Sequence, residues 1–168
     1  SDATLALCSS LAGCSTPVEI HCGGYSFVED MLFTHRGLSG PAVLQISNYW
    51  HPGDTLTIDL LPGNSAADFL LEQKKNSGKQ RLRSVLAQRL PKALVAALEP
   101  AWWPDSAERA LAECNDAALQ ELGNRFNAWR LKPSATEGYR TAEVTRGGVA
   151  TAGVSSKTME VKGQPGLF

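Results

Sequence analysis

Apolar and polar positions change their spacing twice along the chain, dividing it into three stretches. In the first, "PVEIHCG" and "TLTIDLLP" alternate apolar with polar residues, the period of a half-buried strand. "YSFVEDMLFTH" follows the Gly23-Gly24 turn as a further strand, and "DATLALCSSLAG" ahead of them reads as a short helix capped by Asp2 and stopped by Gly13. The spacing then becomes helical. A capping box from Ser65 to Asp68 precedes Phe69, Leu70 and Leu71, and Leu82, Val85, Leu86 and Leu90 recur at helical intervals. Leu94, Val95 and Leu98 follow Pro91, and Leu119, Leu122, Phe126 and Trp129 form the last stripe. Beyond Trp129, "RLKPSAT", "TAEVTRGG", "VATAGV" and "SKTMEVKG" return to short extended segments.

This order predicts an α+β fold: a barrel-like, mainly antiparallel β subdomain built discontinuously from 1–63 plus 130–168, with an α-helical bundle subdomain, 64–129, inserted into it. A sheet begun before the helices and finished after them is the arrangement that leaves fewest strand edges unpaired. With 168 residues and 43% hydrophobic content, the chain can bury a core of this kind. Trp102 and Trp103, between two prolines, read as a staple over the helical core.

A formal net charge of -1 offers no general attraction to nucleic acid or to an anionic membrane, so neither is expected as a partner. The run "KKNSGKQRLR" lies on helices whose opposite faces are apolar and has no interleaved aromatics for base stacking, so it reads as a solvated face. No apolar run approaches a membrane span, and no signal peptide is expected ahead of the fold. Cys8, Cys14, Cys22 and Cys114 lack CxxC spacing, which suggests reduced thiols and a cytoplasmic location. His21, His35 and His51 are scattered, with no pair at the helical spacing of a zinc site, so no metal is expected. A serine at position 1 and a final "KGQPGLF" that stops in the approach to a strand suggest a piece of a larger protein.

Two glycine-rich stretches are the candidates for chemistry. In "FTHRGLSGP", Phe33 to Pro41, Gly40-Pro41 marks a helix start. Its unpaired N–H groups, with His35 and Arg36 alongside, can hold an anion or an electron-rich ring. The same residues also fit ordinary capping by Ser39 or Gly40, with His35 and Arg36 solvated. In "EGYRTAEVTRGGVAT", Gly147-Gly148 allows close backbone approach to a flat ligand, or simply a hairpin or bulge. No GxSxG, HExxH, P-loop or GxGxxG occurs, so a self-contained enzyme is hard to build here. Glu29, Asp30, Glu137 and Glu143 are acid–base candidates only if some of them converge.

Taken together, "FTHRGLSGPAVLQIS", "NAWRLKPSATEGYRTAEVTRGGVAT" and "SSKTMEVKGQPGLF" resemble the HI0933-like, or YhiN-like, FAD-dependent oxidoreductases. The resemblance implies the insert domain of such a flavoprotein. FAD would be held mainly by the rest of the parent chain, no cofactor is expected on this piece alone, and the substrate is expected to be a small organic molecule. It further implies that Thr34, Gly37, Ser39 and Gly40 together with Thr145, Gly147 and Gly148 face the flavin, with Arg36 and Arg146 stabilising negative charge and His35 delivering a proton. The competing reading is a non-catalytic module that binds a protein or RNA partner.

Overall fold

A computed structural model of the chain describes residues 2–143 and 145–168. After helix α1 (Asp2–Ser10), strand β1 (Ser15–Cys22) alternates outward and inward positions, burying Thr16, Val18, Ile20 and Cys22. Gly23 and Gly24, at φ +57° and +85°, form the two-residue turn that mates Cys22 with Tyr25 and starts β2 (Tyr25–Thr34). Left-handed φ at both central positions matches the twist of the flanking strands, which is why a glycine pair suits this site. β3 (Gly37–Ser39) folds back on β2, and α2 (Pro41–Ser47) packs against β1 and β2. β4 (Leu56–Asp59) and β5 (Trp129–Leu131) complete an antiparallel sheet in the order β3-β2-β1-β4-β5. The sheet curls into a half-barrel: Phe33 of β2 and Trp129 of β5 lie with ring centroids 6.5 Å apart.

Between β4 and β5 come α3 (Ala66–Ser77), α4 (Leu82–Leu86), α5 (Lys92–Trp102) and α6 (Asp116–Asn127). The Ser65 hydroxyl accepts from the Asp68 N–H at 3.1 Å, so the expected capping box does cap α3. α3 crosses α6 at Gly123, where an added Cβ would run into the Ala67 backbone. The two ends of the inserted stretch meet through one side chain. Asn127 Nδ2 donates to Asp59 Oδ1 and to the Asn64 carbonyl, both at 2.8 Å, and its Oδ1 accepts from the Ala66 N–H at 2.7 Å. An aromatic seam then joins helices to sheet: Trp102 lies 4.9 Å from Phe126 and 5.8 Å from Trp129, and Trp103 lies 5.9 Å from Phe126. The buried side chains form one continuous cluster across this seam. Each fully buried Leu, Ile or Phe contributes roughly 1.5–3 kcal/mol to holding sheet and helices together.

The return to extended structure after Trp129 is shorter than the pattern suggests. Among the described residues of this part, only Trp129–Leu131 joins the sheet, 132–143 and 145–150 make no regular element, a 3-10 turn spans Thr151–Gly153, and Val154 bridges Val161. Val144, within the expected "TAEVTRGG" strand, lies outside the described residues. The segments are interrupted by Pro133, Gly138 and Gly147-Gly148, and their large apolar groups face water: Tyr139, Val149 and Met159 are all well exposed. A strand is stabilised chiefly by burying one face against cross-strand neighbours, and this arm has no such face.

Candidate functional site

The first glycine-rich stretch is locked into the fold. Thr34 pairs with Gly37, leaving His35 and Arg36 as the exposed tip of a two-residue β2–β3 hairpin. Thr34 Oγ1 donates to the Gly37 carbonyl at 3.1 Å and accepts from the Arg36 N–H at 3.2 Å, which fixes the tip. Gly40 caps α2 without a side-chain bond, at φ +90°, and Pro41 takes the first helical position. A Cβ on Gly40 would sit 2.8 Å from both the Asp30 carbonyl and the Leu32 N–H nitrogen, so glycine is required by the chain's own packing. The sequence pattern anticipates strand, turn and helix but not the intervening strand β3, whose three residues are too few to show a period.

Thr145, Arg146, Gly147 and Gly148 are exposed, and a Cβ on Gly147 or Gly148 would meet nothing within 4 Å. Their arm is pinned at two points. Glu137 Oε2 lies 2.7 Å from Arg36 Nη1, a largely solvated ion pair. Arg146 Nη1 donates to His51 Nε2 at 3.0 Å, so that nitrogen accepts, and the other ring nitrogen, Nδ1, lies 3.5 Å from Asp54 Oδ2. Asp54 is itself fixed, since its carboxylate accepts from the His51 N–H at 2.9 Å and its carbonyl from Trp50 Nε1 at 3.1 Å. His51 is a participant that the pattern of residues gave no reason to single out.

The two pins lie toward opposite ends of the sheet. β2 pairs Leu32 with Ser15 at the hairpin end, whereas Cys22 and His21 at the other end of β1 pair with Tyr25 and with Thr57, just beyond the His51–Asp54 turn. The length of β1 separates these ends by about 20 Å. Arg36 and Glu137 therefore come together, as do Arg146 and His51, but the expected meeting of the two glycine-rich turns is not what these pins produce. Glu29 and Asp30 are exposed on β2, whereas the Glu137 carboxylate is taken by Arg36. His35 has no hydrogen-bond partner among the described residues.

Taken alone, these residues do not fit a flavin. Gly37, Gly147 and Gly148 open onto free space, Gly40 is taken up by contacts with the Asp30 and Leu32 backbone, and His35, Arg36 and Arg146 are exposed. A groove of about 250 Å³ does exist, but it lies in the helical region, lined by Leu82, Trp102, Trp103, Cys114, Leu119 and Arg125. There the Arg125 guanidinium sits 4.4 Å from the Trp102 ring centroid, a cation–π contact that covers the aromatic seam. Among the described residues, no group of three His, Cys, Asp or Glu could hold a metal ion, and no helix is long and apolar enough to cross a membrane. Burial pushes the Cys8 and Cys14 thiols above their ordinary range, and burial followed by the Asp54 charge does the same for Cys22.

A curved antiparallel sheet with a packed helical unit defines an α+β, barrel-like protein. The chain belongs to the HI0933-like family: the family model described as the HI0933-like protein barrel and H2TH domain matches residues 1–144. Among curated proteins it is 48% identical over 160 residues to the ribosomal RNA dihydrouridine synthase of Escherichia coli (strain K12), covering 94% of this chain and 39% of that protein. It is 43% identical over 164 residues to the protein of the same name from Haemophilus influenzae, covering 95% of this chain and 40% of that one. The chain thus spans about two-fifths of the length of these relatives. Their names overturn the expectation that nucleic acid has no part here. That exclusion rested on a net charge averaged over the whole chain, and an average of -1 says nothing about how the sixteen cations are distributed.

Proposed function

We propose that this chain is the barrel-and-helix part of an enzyme that reduces uridine to dihydrouridine in ribosomal RNA. The observation that supports this most strongly is the 48% identity, over nearly the whole chain, to a protein named for that activity. Reduction adds a hydride and a proton across the C5–C6 bond of uracil, so the full protein needs a redox cofactor. FAD, implied by the resemblance, is assigned to the part of the protein outside this chain, because the residues here do not enclose a flavin. The β part (1–63 with 130–168) and the helical part (64–129) are read as two units of one insert. In this reading Arg146 leaves His51 as the arm closes, joins His35 and Arg36 beside the reacting base, and the closed arm excludes water. Thr34, Gly37, Ser39, Gly40, Thr145, Gly147 and Gly148 form the facing backbone. A ribosomal RNA substrate also favours a cytoplasmic location.

The test is the dihydrouridine content of ribosomal RNA, measured by nucleoside mass spectrometry, in cells with and without the full-length protein. Loss of dihydrouridine on deletion and its return on complementation is the expected result; unchanged content refutes the assignment. The full-length protein should purify with bound FAD, and this 168-residue chain alone should not take FAD up in a fluorescence titration.

A further inference from the structure

We infer that the surface around the α3–α4 and α4–α5 turns binds the phosphate backbone of the RNA substrate. This rests on the ribosomal RNA reading above and adds to it where the RNA is held. From Gln73 to Leu98 the chain carries Lys74, Lys75, Lys79, Arg81, Arg83, Arg89 and Lys92 and not one Asp or Glu, in a protein whose net charge is -1. Three of these cations are engaged by the fold. Lys74 Nζ lies 2.6 Å from Asp116 Oδ1 and from the Cys114 carbonyl, and Arg81 and Arg83 share Glu108 at 2.6 and 2.8 Å, with Arg83 also 2.9 Å from Glu99. Lys75, Lys79, Arg89 and Lys92 are exposed and, among the described residues, form no ion pair.

The fold gathers the free cations. Gln88 Nε2 donates to Gln80 Oε1 at 3.3 Å, tying one turn to the other, so Lys79 and Arg89 flank the same bond. Arg89 lies 5.3 Å from the Phe69 ring centroid, which brings the second turn against α3, the helix that bears Lys75. The charges also sit where helix stability does not call for them. α3 and α6 begin with Asp68 and Asp116, as the helix dipole favours, but α4 and α5 have no acid in their first turns, and Lys92 opens α5 with a cation. A cation there opposes the dipole, so its placement suits an external anion better than the helix itself. The absence of interleaved aromatics, which argues against base stacking, fits a surface that reads phosphate positions and leaves the bases to the reacting site.

The experiment uses the full-length protein and a ribosomal RNA fragment containing the modified uridine, with binding followed by fluorescence anisotropy between about 50 and about 200 mM salt. The combined variant Lys75→Gln/Lys79→Gln/Lys92→Gln is expected to bind about tenfold or more weakly at low salt, with a salt slope shallower by roughly 2–3 because three phosphate contacts are lost. Arg89→Lys should bind like the unaltered protein and Arg89→Gln more weakly. Should the triple variant melt early, Lys79→Gln alone tests the same point through a slope change of about 0.7–0.9. An unaltered protein that makes dihydrouridine, with variants whose affinity and slope match it, overturns this inference and leaves the enzymatic reading standing. An unaltered protein that neither binds the fragment nor modifies it overturns both.

Discussion

The two glycine-rich stretches look alike as text and are built in opposite ways. In Thr34–Pro41 the glycine that matters is held by the protein itself, since Gly40 leaves no room for a Cβ against the backbone of Asp30 and Leu32. In Thr145–Gly148 the glycines lean on nothing, and one side-chain contact, Arg146 to His51, holds the segment. A glycine that the fold requires says little about a ligand. Gly147 and Gly148 are favoured by their φ, +94° and +146°, but their open sides meet nothing, which leaves room for what approaches from outside.

The largest effect that tests this contrast is on stability. Gly40→Ala adds both a backbone clash and an unfavourable φ, and is expected to cost roughly 2–4 kcal/mol, lowering the melting temperature by about 5–15 °C. Gly147→Ala has an unfavourable φ but no clash, in an arm that is free to adjust, so less than about 1 kcal/mol is expected. Thermal melts of the two variants decide the matter. Equal losses would mean that the arm is packed into the fold as firmly as the hairpin.

The same contrast explains what was legible beforehand. Helices α3, α5 and α6, strands β1 and β4 and the end of β2 at Met31 and Phe33 are readable because each buries one face, and burial writes a period into the residues, as Val18, Ile20 and Cys22 do on β1. The short strands β3 and β5 carry too few residues for a period to show. The arm beyond Leu131 reads as strand because its Val and Thr residues have strand propensity, but most of its described residues are exposed and no face is buried there. His51 was invisible for a different reason: its role depends on Arg146, 95 positions away, and on the Asp54 turn. The basic run around Lys75–Lys92 reads as a solvated face, and only the folded chain shows which of its cations are already paired.

The next effect falls on activity. In the full-length protein Arg146→Ala should slow dihydrouridine formation by about tenfold or more, as expected when a charge is removed beside a reacting centre. Stability should move by no more than about 0.5 kcal/mol, because the side chain is exposed. His51→Ala separates anchoring from chemistry. It frees the arm, so trypsin should cut at Arg140 and Arg146 sooner, while the Arg146 charge remains available. An Arg146→Ala protein with unchanged turnover removes this residue from the site.

The packed region should also respond to alkali in a way that the arm, which has no cysteine, does not. Cys8, Cys14 and Cys22 hold their protons more tightly folded than unfolded. Their contribution to stability is therefore complete below the ordinary thiol range and declines as pH rises through and above it, where the unfolded chain releases protons that the folded one keeps. Urea melts across that range should show the decline, and Cys8→Ser should reduce it. At neutral pH all three should react with iodoacetamide more slowly than a free thiol, because little thiolate is present.

The smallest effect concerns the other pin of the arm. Arg36 and Glu137 are joined at 2.7 Å, the right distance for a charge-assisted hydrogen bond, but their side chains are 70% and 45% exposed. Water and salt screen such a pair, and two long side chains lose freedom to make it, so the coupling should be no more than about 0.5 kcal/mol. A double-mutant cycle with Arg36→Ala and Glu137→Ala measures it directly through urea melts, and high salt should erase what remains. A coupling above about 1 kcal/mol would show that the arm is a fixed part of this surface. A value near zero would leave it hinged between the His51 contact and the end of β5, free to close only when the rest of the protein and the RNA are in place.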